Sequence, residues 1–325
     1  MNSTQARVFS EASKGNPNSP GVVCCLACGA SDNAPFLTAP DRFHGKVTPY
    51  ELRRCTACSH VWLSNPPSPE QIGEHYGSQY DWAISTAAEA RSDRWHRERK
   101  TLLRYRSSGA ILDLGCSSGS FLATVADCFE TRFGVEISSE MALRAERNSG
   151  AHVFVGDILE ASFPQESFDA VTCFHVLEHM YEPRRTVAKV WKWLKPGGVF
   201  YVLVPNIDAG ESRIFGSYWY PLELPRHLSH FCPTSLQRLG ARVGLKAEYV
   251  STFRVSFIEP STRYILESAK SRCGLSFSPL SLGKHASLPW KVIRKILRMT
   301  VLPVAAKLES FAGAGEVVEG IFLKQ

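Results

Sequence analysis

Short apolar runs alternate with segments of helical periodicity from residue 110 onward. The apolar runs predict five strands, at 110–114, 131–137, 151–155, 168–174 and 198–204. The segments between them predict helices near 119–128, 139–148 and 183–194. This alternation predicts an α/β fold with a doubly wound, mostly parallel sheet, whose strands end at one common edge where a ligand binds.

The end of the chain continues this pattern after an aromatic loop. A helix is predicted at 234–243 and a strand near 246–255, and a last strand at 317–324 would complete a seven-stranded, Rossmann-like sheet. The residues between the last two strands, 256–316, are predicted to form a helical insertion, because a segment of about sixty residues is too long for a plain loop.

The rest of the chain predicts a sequence of smaller units. We expect a disordered tail at 1–21 and a Cys-rich module at 22–63. A linker with helices at 64–108 then leads into the α/β domain at 109–325. The tail is polar and rich in Ser, Asn and Pro, which is typical of disorder. The linker includes an Arg-rich helix at 89–106.

Charge and composition fit a cytoplasmic protein. Lys and Arg number 37 against 31 acidic residues, a net charge of +6, which permits an anionic partner without requiring one. The N-terminus lacks the apolar segment of a secretory signal, and no apolar run is long enough to span a bilayer. Paired cysteines in such a compartment more often bind metal than form disulfides.

Two C-x-x-C pairs, separated by 26 residues, lie in the Cys-rich module. Four thiolates at this spacing are the tetrahedral set that a structural Zn²⁺ prefers. The predicted ligands are Cys25, Cys28, Cys55 and Cys58. Cys24 makes the register ambiguous, and Cys25 is preferred because C-x-x-C-G forms a turn whose amides donate to sulfur. The alternative is a set of reduced cysteines packed in a core.

The stretch GCSSG, which follows the strand at 110–114, fits three templates. As G-x-S-x-G it would be a nucleophile elbow, but an elbow follows several strands and this one follows the first. As a dinucleotide-binding turn it would need glycines at 117 and 120, and both are serines. The third template is D-x-G-x-G-x-G, which Asp113, Gly115 and Gly119 match.

Acidic residues after the next strands support the third template. Glu136 ends the second strand, where a carboxylate can accept from both ribose hydroxyls of an adenosine cofactor. Asp157 follows the third strand and could accept from the adenine amino group. Ser117 stands where the template has its central glycine. A serine is tolerated there if its φ is negative, and a φ above zero would mean that strain is stored in the loop.

With HVLEHM, LKPGG, VPN and RHLSHF further on, these motifs resemble class I S-adenosylmethionine-dependent methyltransferases over 110–255 and 317–324. The similarity is greatest to a bacterial group that includes ubiquinone-type O-methyltransferases and enzymes acting on sugars or polysaccharides. The resemblance implies S-adenosylmethionine as cofactor. The implied cofactor-binding residues are Asp113, Gly115, Cys116, Ser117, Gly119, Glu136, Ile137, Asp157, Ile158, Phe174 and His175.

Methyl transfer to oxygen benefits from a general base, since an alcohol is a poor nucleophile until its proton leaves. The predicted catalytic candidates are His179, His227 and Glu178, because a His near its ordinary pKa suits base work at neutral pH. His175 and His230 also lie in loops at the strand edge. Each of these His residues could instead have only a structural role.

The predicted function is therefore O-methylation of a small molecule, sugar or glycan, including a lipid-linked one. The alternatives are N- or C-methylation of a sugar, since the Cys-rich module also resembles that of sugar C-methyltransferases, and RNA methylation guided by the zinc ribbon. A further alternative is a catalytically inactive binding protein. We do not expect a nucleic-acid partner, because the ribbon carries few exposed basic and aromatic pairs.

The segment 288–308 has basic residues on one side of a predicted helix and apolar residues on the others. Such a helix could lie on an anionic membrane surface. It could also form a lid whose apolar stripe covers the acceptor cleft. The two interpretations are compatible if the acceptor is attached to a lipid.

Overall fold

Two β-sheets organise the protein in this computed structural model, which describes residues 24–76, 95–272 and 315–325. The strands are β1 Asn33–Pro40, β2 Pro49–Cys55, β3 Val61–Leu63, β4 Ala110–Leu114, β5 Thr131–Glu136, β6 His152–Val155, β7 Phe168–Phe174, β8 Leu194–Pro205, β9 Ser229–His230, β10 Leu245–Phe253 and β11 Val317–Lys324. The helices are α1 His96–Tyr105, α2 Ser120–Thr124, α3 Ser139–Ser149, α4 Pro183–Trp193, α5 Gly210–Phe215, α6 Pro233–Arg242 and α7 Ile258–Arg272.

The larger sheet has seven strands in the order β10-β11-β8-β7-β4-β5-β6. The five strands β8, β7, β4, β5 and β6, in that order across the sheet, are parallel to one another. Strand β11 is antiparallel to both of its neighbours, β8 and β10. The prediction of a Rossmann-like, doubly wound sheet is therefore confirmed. The order reverses at β4, so the carboxyl ends of β4, β5 and β7 meet at the edge where such folds bind ligands.

The central strands are apolar on both faces because helices cover the sheet from both sides. In β7 and β8 nearly every residue is buried, including Phe168 and Phe200. Continuous apolar strands of this kind are typical of parallel sheets covered on both sides. This rigid centre fixes the positions of the loops that follow β4, β5 and β7.

Helix α2 and strand β8 differ most from their predicted bounds. Helix α2 covers only Ser120–Thr124, much shorter than the predicted 119–128. Strand β8 begins at Leu194, before the predicted turn, because Leu194 pairs with Phe168 and Val199 with Ala170. The intervening Lys-Pro-Gly-Gly turn makes an irregularity within the strand pair.

The smaller sheet joins the Cys-rich module to the loop that follows β8. Its strands lie in the order β1-β2-β3-β9, all antiparallel. The first three come from the predicted module at 22–63, but the fourth is Ser229–His230. Because Val61 pairs with His230 and Trp62 with Ser229, the module and the loop share one sheet.

Helix α7 begins the predicted insertion at 256–316. The remainder of that insertion up to residue 314, including the segment 288–308, lies outside the described residues, as do the tail 1–21 and the first residues of the helix predicted at 89–106. Within the described ranges, no helix combines the length and the apolar character that crossing a membrane requires.

Candidate functional site

Glu136 is held at the carboxyl end of β5 by two backbone amides. Its Oε2 accepts from the amide of Ser117 at 2.9 Å, and its Oε1 accepts from the amide of Ser138 at 2.9 Å. A carboxylate oxygen can accept more than one hydrogen bond, so each retains capacity for a ribose hydroxyl. The contacts orient the carboxylate and tie it to the glycine loop after β4.

Asp113 lies beneath the glycine loop rather than at its surface. Its side chain accepts from the hydroxyl of Thr172 on β7 at 2.6 Å, and only 4% of the residue is exposed. Burial raises the pKa of Asp113 to about 7. A cationic group bound above the loop would favour the ionised form, so the position fits the positively charged S-adenosylmethionine.

The loop after β4 requires glycine at two positions. Gly115 has φ +68° and Gly119 has φ +73°. A Cβ at Gly115 would lie 2.4 Å from a methyl of Val176, and a Cβ at Gly119 would lie 2.8 Å from the Cα of Ala145. Both positions therefore exclude any side chain, which keeps the loop backbone close to the β7 exit and to α3.

Ser117 has a positive φ, which is the strained alternative for a serine in this loop. Its φ is +48°, in the left-handed region that favours glycine. The conformation leaves the Ser117 amide free to donate to Glu136. This hydrogen bond and the packing of both glycines hold the loop in a path that strains Ser117.

The remaining predicted cofactor residues divide by exposure. Cys116 is buried, and a Cβ at Gly134 would lie 2.5 Å from its sulfur, so only the Cys116 backbone faces the loop surface. Ile137 is 76% exposed, an uncommon state for a large apolar side chain at a strand end. An adenine ring stacked there would cover it.

Asp157 lies exposed after β6 and accepts from the amide of Leu159 at 2.6 Å, whereas Ile158 beside it is buried. Phe174 is buried beneath the ring of Trp95, at a centroid distance of 5.6 Å. His175 begins the loop after β7 with φ +58°. Trp95 precedes α1 and reaches this edge through the packing of the fold, so no sequence pattern could have selected it.

A second group of side chains lies where the loops after β7 and β8 meet. Glu178 and His179 belong to the short 3₁₀ helix Leu177–His179, and His227 comes from the loop after β8. The rings of His179 and His227 are edge to face, with centroids 4.6 Å apart. The amide of Leu228 donates to the carbonyl of Glu178 at 2.8 Å, so the two loops are hydrogen-bonded together.

Burial keeps both imidazoles neutral at physiological pH. It lowers the pKa of His179 to about 4 and that of His227 to about 3. The expectation of an ordinary His pKa was therefore wrong for these two residues. Glu178 is 1% exposed, and within the described part of the chain neither of its carboxylate oxygens has a hydrogen-bond partner.

Tyr76 and Arg226 complete this group, and sequence reasoning missed both. The Tyr76 hydroxyl lies 2.9 Å from Nδ1 of His179, although Tyr76 belongs to the predicted linker. Arg226 is fully buried, and its Nη2 lies 3.2 Å from a carboxylate oxygen of Glu223. Its place directly before His227 was the only signal in the sequence that could have indicated Arg226.

The aromatic residues of the loop after β8 have packing roles. Trp219 is 1% exposed in the core, and Tyr220 stacks on Phe257 and Tyr264 at centroid distances of 6.1 and 5.7 Å. Arg42 lies over the ring of Tyr218, 3.7 Å from its centroid. These contacts give each of the three consecutive aromatic residues a packing partner.

The four predicted zinc ligands form one cluster. The Cys25 and Cys58 sulfurs are 3.6 Å apart, as are those of Cys28 and Cys55, and all four lie within 4.8 Å of one another. Sulfurs bound at about 2.3 Å to a tetrahedral Zn²⁺ would be roughly 3.8 Å apart, so the donor set fits this ion. Cys24 is exposed and lies outside the cluster.

Two other groups in the described residues bring metal-capable atoms within 4.8 Å of one another. One is Glu178, His179 and His227, and the other is Asp41, His44 and His75. In the second group, Nδ1 of each His lies 2.9 Å from the same oxygen of Asp41. Two imidazole donors therefore satisfy this fully buried carboxylate, in contrast to Glu178.

We predict that Ser117→Gly stabilises the protein by about 1 kcal/mol, because glycine adopts a left-handed φ without the steric cost that serine incurs. Thermal or denaturant unfolding would measure the difference. The matched control is Ser118→Gly, next to it but without a positive φ. That change should be neutral or destabilising, and equal effects of the two substitutions would contradict the prediction.

We predict that Glu136→Ala weakens binding of S-adenosylmethionine roughly 100-fold, because two hydrogen bonds to a charged acceptor would be lost. Calorimetric titration of the full chain measures this. Glu140→Ala is the control, since Glu140 is exposed and pairs with Arg144 on the surface of α3. Unchanged affinity in Glu136→Ala would show that the cofactor binds elsewhere.

Comparison with known proteins agrees with this geometry. A family model described as a methyltransferase domain matches residues 87–250. The chain is 26% identical over 174 residues to a demethylmenaquinone methyltransferase of Symbiobacterium thermophilum, covering 48% of this chain and 68% of that protein. It is 31% identical over 152 residues to a ubiquinone biosynthesis O-methyltransferase of Thiobacillus denitrificans, covering 42% of this chain and 65% of that protein.

A solved S-adenosylmethionine-dependent methyltransferase from Mesorhizobium loti is 17% identical, covers 73% of this chain and 99% of its own, and has a TM-score of 0.46. The family match spans half of the chain and includes the glycine loop, Glu136 and the loop after β7. The chain therefore belongs to the class I S-adenosylmethionine-dependent methyltransferases, with a four-cysteine cluster in its N-terminal part.

Proposed function

We propose that this methyltransferase transfers the methyl group of S-adenosylmethionine to a hydroxyl oxygen of a small molecule, sugar or glycan. The observation that carries the proposal is the group formed by Glu178, His179, His227 and Tyr76. It lies directly after β7, whose neighbour β4 leads into the cofactor loop. An acceptor bound at this group would therefore be next to the cofactor.

The chemistry of this group suits a hydroxyl acceptor. The methyl donor has a neutral leaving group, so the protein's main tasks are to align acceptor, methyl and sulfur and to remove the acceptor's proton. A carboxylate and two neutral imidazoles are proton-accepting or metal-binding groups, and the Tyr76 hydroxyl can hydrogen-bond the acceptor. The name of the O-methyltransferase from Thiobacillus denitrificans supports the same acceptor atom.

The test is transfer of a labelled methyl group to a panel of quinols, nucleotide sugars and lipid-linked saccharides. We expect methylation at oxygen, and His227→Asn should lower kcat at least about 100-fold while leaving cofactor affinity unchanged. His152→Asn is the control, because His152 is exposed at the start of β6. Transfer only to nitrogen, carbon or RNA would contradict the proposal.

We also propose that the four-cysteine cluster holds a structural Zn²⁺. A closed site with four thiolates has no open position for a substrate, so its role would be folding. The ion would add to the apolar core that the module shares with the loop after β8. Since β3 pairs with β9, ordering the module would also order the loop that carries His227.

We predict that Cys55→Ser reduces the zinc content below one ion per chain and destabilises the module, because thiolate ligands supply much of the binding energy. The same change should lower the rate of methyl transfer more than the affinity for S-adenosylmethionine. Metal analysis and calorimetry measure the two effects. Cys24→Ser is the matched control, and equal zinc content in both variants would exclude the proposed ligand set.

A further inference from the structure

Glu178 has an environment that is costly for a carboxylate. It is 1% exposed, and neither of its oxygens accepts a hydrogen bond from any described residue. Nδ1 of His175 lies 3.6 Å from Oε1 of Glu178, beyond hydrogen-bond distance. A buried carboxylate that accepts no hydrogen bond is unfavourable unless a proton or a cation compensates its charge.

The two imidazoles beside Glu178 are oriented by backbone carbonyls. Nδ1 of His227 lies 2.8 Å from the carbonyl of Pro221, and Nδ1 of His179 lies 3.1 Å from the carbonyl of Arg226. Nδ1 of His179 also lies 2.9 Å from the Tyr76 hydroxyl, which can either donate or accept. A carbonyl can only accept, so Nδ1 of His227 carries the hydrogen and Nε2 of that ring keeps a lone pair. Metal-binding histidines are typically oriented in this way, by a carbonyl or carboxylate at the other nitrogen.

The donor atoms of these three residues converge. One atom each from Glu178, His179 and His227 lies within 4.8 Å of the others. A second carboxylate is close, since Oε2 of Glu223 lies 3.8 Å from Nε2 of His227. Glu178 and His227 are buried, and His179 is only partly exposed.

We propose that Glu178, His179 and His227 bind a divalent transition-metal cation that receives the oxygen of the acceptor. Two imidazoles and a carboxylate suit Zn²⁺, Fe²⁺ or Co²⁺, and three protein ligands leave positions open for another oxygen. This site would be separate from the four-cysteine cluster. It would keep a coordination position open for the acceptor, whereas the four thiolates would fill every position of a tetrahedral ion.

The catalytic part of this inference rests on the proposed O-methylation. A cation bound here lowers the pKa of a coordinated hydroxyl, whose proton then passes to a solvent water. The oxygen forms a bond to the methyl carbon while the methyl–sulfur bond breaks. The electron pair of that bond stays on sulfur, and the thioether leaves uncharged.

The test is calorimetric titration of Co²⁺ into the full chain, after its cysteine cluster has been loaded with Zn²⁺, without cofactor or acceptor. Co²⁺ does not displace Zn²⁺ from the thiolates, because it binds more weakly. We expect one Co²⁺ per chain, and binding at least about 100-fold weaker in Glu178→Gln and in His227→Asn. Glu182→Gln and His152→Asn, both at exposed positions, are the controls.

Cofactor affinity measured on each variant shows whether it is folded. Absence of Co²⁺ binding to the wild-type chain, or equal binding in the folded Glu178→Gln variant, would overturn the cation site. The proposed O-methylation is judged separately, by product analysis. Methyl transfer to oxygen that persists after removal of the second cation would refute the catalytic role and leave the proposed function intact.

Discussion

The pairing of β3 with β9 is the contact on which the rest of the site depends. It places Val61 and Trp62, three and four residues after Cys58, beside His230 and Ser229. The amide of Leu63 also donates to the carbonyl of Leu228 at 3.0 Å. The short strand β9 has little pairing of its own, so the Cys-rich module supplies the rigid partner that fixes the loop after β8.

The same loop is tied to the large sheet through different atoms. Leu228 donates to Glu178, and Asn206 forms a parallel bridge with Phe231. The loop is thus held on one side by the Cys-rich module and on the other by the exits of β7 and β8. A loop fixed at both sides can position His227 precisely, whereas a free loop could not.

Most of the large sheet could be predicted from the sequence, because its strands are buried on both faces and separated by clear turns. The positions of Asp113, Gly115 and Glu136 followed from their places at strand ends. The contact of Tyr76 with His179 could not be predicted, since it joins two units through their packing. The φ of Ser117 could not be predicted either, because it depends on the hydrogen bond from the Ser117 amide to Glu136. The lowered pKa values of His179 and His227 depend on burial, which only the packed structure reveals.

The position of β11 has a consequence for the order in which the protein folds. Strand β11 lies between β8 and β10, yet it follows both of them in the chain. During synthesis β8 and β10 emerge first, and in the final sheet β11 lies between them and pairs with both. The pairing of Val317 with Pro205 closes a long loop. Closing it costs conformational entropy before the contacts of the paired strands can compensate for that cost. The aromatic loop, the Cys-rich module and β10 are therefore all made before the strand that completes the sheet.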